Sequence, residues 1–115
     1  MKKYQIIKLD LFPYDIMIAY DVLVDDIKSR LNEKYDIKID DDGEKLLRGS
    51  RLAHTLKLRN NAVLIYFPAK PTNGIIAHEV FHAVWMILAT MGVAPSVDSE
   101  EVYAYMLEYI ISKIV

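Results

Sequence analysis

Three residues within one short stretch carry side chains suited to metal chemistry: His78, Glu79 and His82, in the order His-Glu-Val-Phe-His. On a helix, residues four apart share one face about one turn apart. The two imidazoles are then placed to hold a single ion, with Glu79 beside them as a base for an activated water. A metal, a base and a hydrolytic reaction class follow from this pattern. A zinc centre of this kind needs a third protein ligand and one open position. The chain has no cysteine, so thiolate ligation and disulfides are excluded and the remaining donors are His, Asp, Glu or backbone.

The motif must sit on elements that present it. The segment from Gly74 to Met91 reads as a helix, with Thr72 or Asn73 as its N-cap and Gly92 closing it. A second helix is expected over 98–114 after Pro95-Ser96-Val97-Asp98. The short connection makes the two antiparallel neighbours. Candidate third ligands are Glu101 on this last helix, Glu108 two turns further on, and His54. Asp98 and Glu101 also fit a capping box, a purely local role for Glu101. Ala104 is small enough for close helix packing. Tyr105, one turn beyond Glu101, brings a hydroxyl that can support the site. Tyr103, Tyr105, Tyr109 and His54 are the candidate donors to a developing oxyanion.

Upstream, residues 3–9 and 14–20 read as strands joined around Pro13. Residues 21–35 change period: Val22, Leu23, Ile27 and Leu31 form an apolar face opposite Asp25, Asp26, Lys28, Arg30 and Glu33, as in an amphipathic helix. Asp40-Asp41-Asp42-Gly43 reads as a solvated turn. It misses the calcium-loop pattern, which needs glycine at the sixth place, where this chain has Lys45. Residues 51–58 and 62–67 read as strands of a hairpin turning at Arg59-Asn60-Asn61. An exposed edge of that hairpin, beside the 62–67 strand, would accept an extended peptide by strand addition.

The 115 residues suit one domain spanning 1–115, and more than half are hydrophobic, enough for a core. The expected architecture is α+β: a three- to four-stranded antiparallel or mixed sheet packed against an amphipathic helix and a C-terminal antiparallel helix pair. The net charge of -2 and the lack of a basic tail give no footprint for nucleic acid. Lys8 and Asp10 interrupt any apolar leader after Lys2 and Lys3. The longest apolar run, 83–91, is broken by Thr90 and falls far short of the roughly 20 residues that span a bilayer. A cytoplasmic protein without membrane or nucleic-acid partners is expected.

HEVFH followed by a second helix with Glu-x-x-Ala resembles the gluzincin group of zincin metallopeptidases, in which a downstream glutamate is the third ligand. Within that group the chain is similar to soluble ImmA/IrrE-type peptidases. The segments LDLFPYDI, HEVFHAVWMIL and DSEEVYAYMLEYI further resemble small proteins encoded by phages and prophages. The resemblance implies a minimal zincin-like fold and Zn2+ held by His78, His82 and Glu101, with Glu79 as general base. It implies a peptide or protein substrate, in the bacterial host cytoplasm if the source is a phage. Tyr105 stands where those peptidases carry Asp or Asn. The alternative is an inactive, zinc-stabilised protein-binding module on the same scaffold.

Overall fold

In the computed structural model, which describes residues 1–114, alternating apolar positions build a sheet with a core on each side. The strands are β1 (Tyr4–Lys8), β2 (Asp15–Tyr20), β3 (His54–Lys57) and β4 (Ala62–Phe67). The helices are α1 (Val24–Tyr35), α2 (Asp41–Arg48), α3 (Asn73–Thr90) and α4 (Glu100–Lys113). The sheet order is β1-β2-β4-β3. β1 and β3 pair antiparallel to their neighbours, and the central pair β2–β4 is parallel, with Ile16 opposite Val63 and Ile18 opposite Ile65. A parallel pair needs a long crossover, and everything from α1 through β3 provides it. The fold is therefore α+β with a mixed four-stranded sheet.

The two-residue period of the strands divides the core. Ile16, Ile18, Val63, Ile65 and Phe67 pack with Val80, Val84, Ile87, Leu88, Met106 and Ile110 of α3 and α4. Met17, Ala19, Leu64 and Tyr66 point the other way, onto Ile27 and Leu31 of α1 and Leu47 of α2. β4 is buried along its whole length. It lies between β2 and β3, so the edge strand of this hairpin is β3, with β1 at the other edge of the sheet. Residues 62–67 therefore offer no free edge, and within this hairpin the edge strand is residues 54–57. Leu58 N–H donates to the Ala62 carbonyl at 2.9 Å. By the alternation of an antiparallel ladder, the backbone groups of Thr55 and Lys57 consequently point away from β4.

Three further local expectations are corrected. Asp40-Asp41-Asp42-Gly43 is a helix start: Asp40 Oδ1 accepts from Gly43 N–H at 2.7 Å and caps α2. Acidic residues in the first turn complement the positive end of the helix dipole, which is why a turn-like composition folds as a helix. Gly43 allows a close approach, since a Cβ there would lie 3.0–3.1 Å from Ile39, Asp40 and Leu56. The Asp98–Glu101 capping box does not form. Ser99 is the N-cap of α4, without a side-chain cap bond, because the serines close the loop instead. Ser99 Oγ accepts from Ser96 N–H at 2.8 Å and donates to the Ala94 carbonyl at 2.7 Å. In α1 the helix begins at Val24, and Leu23 is left exposed as the N-cap residue rather than on the buried face.

Candidate metal centre

α3 is fixed at both ends by its own sequence. Thr72 Oγ1 accepts from Ile75 N–H at the start. At the other end Gly92 takes a left-handed φ of 79°. Gly92 N–H then donates to the Ala89 carbonyl and Val93 N–H to the Leu88 carbonyl, the paired bonds of a Schellman closure. Val80, Ala83, Val84, Ile87 and Leu88 are buried. The helical period turns His78 and His82 outward and leaves Glu79 at the margin of the core, against β3.

Their side chains converge. His78 Nε2 and His82 Nε2 are 3.1 Å apart. Two imidazole ligands on a tetrahedral zinc, at bond lengths of about 2.0–2.1 Å, would have their nitrogens about 3.3 Å apart. The two rings are hydrogen-bonded to each other, which brings the nitrogens near the spacing that a shared ion would require, and the donor set suits zinc. Glu79 Oε2 lies 3.8 Å from His78 Nε2. One ligand atom from each of His78, Glu79 and His82 falls within 4.8 Å of the others.

Glu79 is only 7% exposed. A buried carboxyl needs a partner, and Thr55 of β3 supplies it. The Thr55 hydroxyl lies 2.8 Å from Glu79 Oε1 and 3.0 Å from the Glu79 backbone carbonyl. A hydroxyl carries one proton, shared here between the two oxygens. This clamp ties the edge strand to α3 and leaves Oε2 as the carboxylate oxygen that faces the histidines. Thr55 is the neighbour of the motif that sequence reasoning missed. Its signal was available only in part: alternation places 55 inward, but nothing in the chain says which helix residue it meets.

The motif lies along an open trough at the sheet edge. His54, Thr55, Leu56 and Lys57 form one wall, His78, Glu79, His82 and Met86 another, and Leu46 of α2 closes the end. α2 is held against α1 by ion pairs of Glu44 with Lys28 and of Arg48 with Asp25. The Lys28 and Arg48 cations beside Glu44 hold its carboxyl below the usual range. Phe81 and Trp85, each 46% exposed, continue the outer face of α3 as a tilted ring pair with centroids 5.9 Å apart.

The other residues expected at the site are placed elsewhere. Trp85 meets Tyr103 at 6.2 Å between ring centroids, and Tyr103 Oη donates to the Val93 carbonyl at 2.7 Å. This sets the register of the antiparallel helix pair. At 1.5 Å per residue, Glu101 falls about 7 Å beyond His82 along the α3 axis. Glu101 and Glu108 are both exposed and stand outside the His78–Glu79–His82 group. Tyr105 stacks on Tyr109 and lines a separate cavity with Leu9, Leu11 and Phe12. Tyr109 reaches Asp10 and the Lys8 carbonyl, and burial, then Asp10, raises its pKa. Of the four candidate oxyanion donors, His54 alone lines the trough.

Compared with protein-family models, with curated proteins and with solved structures, the chain matches none. No described helix is long and apolar enough to cross a membrane.

Proposed function

We propose that this chain is a small zinc-dependent metallopeptidase of the zincin type. The observation that carries the reading is the 3.1 Å separation of His78 Nε2 and His82 Nε2 beside a carboxylate held by a buried hydroxyl. The Thr55 bond satisfies the buried carboxyl and at the same time aims its other oxygen toward the histidines. Zinc, when bound, supplies a Lewis acid that polarises a carbonyl and acidifies water.

The chain's own residues do the rest. His78 and His82 hold the ion. Glu79 takes the proton of the attacking water on Oε2, while Oε1 stays anchored to Thr55, and then delivers that proton to the leaving amine. The Thr55 clamp restricts the carboxylate to one rotamer, so little orientation is lost on reaching the transition state. An extended peptide lies along β3, paired with the outward backbone groups of Thr55 and Lys57. The aromatic pair Phe81–Trp85 offers an apolar surface for a substrate side chain next to the histidines.

Glu79→Gln tests this reading. The amide oxygen still accepts from Thr55, and both histidines remain, so zinc should bind as in the wild type while hydrolysis of an unfolded protein substrate disappears. Cleavage that survives at the wild-type rate would overturn the role of Glu79. Stoichiometric zinc without any turnover in the wild type would instead support a zinc-stabilised binding module.

A further inference from the structure

The sheet edge away from the motif is β1. Tyr20 N–H donates to the Lys3 carbonyl, and Leu9 N–H to the Tyr14 carbonyl. Residues 3 and 9 therefore bond toward β2, and by antiparallel alternation residues 5 and 7 do the same. The backbone groups of Tyr4, Ile6 and Lys8 point away from the sheet. Tyr109 Oη, which donates to the Lys8 carbonyl at 3.3 Å, reaches it from that outer side. Among the described residues, no hydrogen bond from outside the sheet reaches the main chain of Tyr4 or Ile6. The α1 face beside this edge is also incompletely covered. Tyr4, Ile6 and Met17 of the sheet line a groove with Ile27, Leu31 and Tyr35, and Ile6 and Tyr35 are each 37% exposed. Free ladder groups next to exposed apolar side chains are a template for another strand.

We propose that the strand is β1 of a second copy of this chain, paired antiparallel across a two-fold axis so that the two sheets join into one. Charge complementarity selects this occupant and its register. In a two-fold pairing the numbers of facing residues have a constant sum, and only residues 4, 6 and 8 offer outward groups. A sum of 12 engages all three: Ile6 faces the partner's Ile6 on the axis, and Tyr4 faces the partner's Lys8. Just beyond the strand ends, Lys2 then faces the partner's Asp10, and both are exposed. Opposite charges in facing positions stabilise such a ladder, and like charges oppose it. A sum of 10 sets Lys2 against the partner's Lys8, and a sum of 14 carries Tyr4 past the end of the partner strand. Facing residues of a pair share one side of the sheet. Ile6 is opposite Met17 in the register, on the α1 side, so the two Ile6 side chains meet at the mouths of the two grooves. The β3 edges and the troughs beside them stay at the far ends of the joined sheet, open to substrate.

Analytical ultracentrifugation over a range of concentrations tests the pairing. The wild type is expected to move from the mass of one chain to that of two as concentration rises. Lys2→Asp and Asp10→Lys should each weaken the dimer about 10-fold, because two symmetric pairs turn from attractive to like-charged. Lys2→Asp and Asp10→Lys combined should restore it. Ile6→Lys, which sets like charges on the axis, should leave a monomer that is still folded by circular dichroism. Should that variant not fold, the charge exchange at exposed Lys2 and Asp10 decides the matter alone. The chain has no cysteine of its own, so Ile6→Cys should cross-link to a dimer on oxidation while Lys57→Cys, on the other edge, stays single. A wild type that remains a single chain up to about 1 mM overturns the proposal. So does a dimer indifferent to Ile6→Lys, or one whose single charge reversals are not rescued by the double exchange.

Discussion

Thr55→Val is the perturbation whose consequence follows most closely from the geometry. Valine matches threonine in shape and removes only the hydroxyl. That hydroxyl sits 2.8 Å from Oε1 of Glu79, in a setting where the threonine is 4% exposed and the glutamate 7%. Losing a buried hydrogen bond to a carboxylate costs about 1.5–3 kcal/mol, because water cannot reach in to replace it. For a domain of this length, about 1 kcal/mol corresponds to roughly 4 °C in Tm. The expected drop is therefore about 6–12 °C. It should be measured by circular dichroism on chelator-treated protein, so that metal binding does not add to the folded state. Thr55→Ser, which keeps the hydroxyl and loses a methyl, should recover more than half of the loss. The effect should also be coupled to Glu79: in the background of Glu79→Leu, where only the backbone carbonyl is left to accept from Thr55, Thr55→Val should cost less, leaving a coupling of about 1 kcal/mol or more. A Thr55→Val protein melting within about 2 °C of wild type, or costs that simply add, would refute the clamp.

Other perturbations reach the elements that frame the site. Lys28 and Arg48 lower the pKa of Glu44 in the folded chain. Its contribution to stability is thus complete above the unfolded carboxyl value and lost as pH falls through the lower folded value. Urea midpoints followed from neutral to acid pH should fall less steeply for Glu44→Gln, and parallel acid limbs would contradict this. Gly92 has a φ of 79° with open space around it, so Gly92→Ala adds backbone strain without a clash. A loss of about 1–2 kcal/mol by urea titration is expected, and an unchanged midpoint would argue against the Schellman closure of α3.

Most elements were legible because each has one dominant period. Residues 62–67 are all apolar and end at Pro68, and β4 occupies those positions. The 72–92 segment carries a threonine cap and a terminal glycine, and α3 runs between them. Where local chemistry is ambiguous, tertiary packing decided. Asp40-Asp41-Asp42-Gly43 serves equally as a turn or as a capped helix start, and the burial of Leu47 against the sheet joins the acidic first turn in favouring the helix. Similarly, residues 51–53 have strand-like neighbours, yet β3 begins at His54, where its pairing with β4 starts opposite Tyr66.

The site was legible in the same uneven way. The period of α3 is enough to join His78 to His82, since both lie on one element. Joining that element to another requires the sheet order, which no spacing in the chain reveals. Strand β3 lies beside α3 because β4 pairs with β2 in parallel and leaves β3 outermost. The hydrogen-bond partner of Glu79 therefore comes from Thr55, 24 residues upstream.

The central claim is that His78 and His82 hold a metal ion, and its most direct test is metal content. Protein expressed without added metal and purified without chelator should carry stoichiometric zinc by inductively coupled plasma mass spectrometry. His78→Ala and His82→Ala, still folded by circular dichroism, should fall to background. Wild-type protein free of zinc that cannot be loaded with it, or zinc that persists undiminished in His78→Ala, would contradict the account.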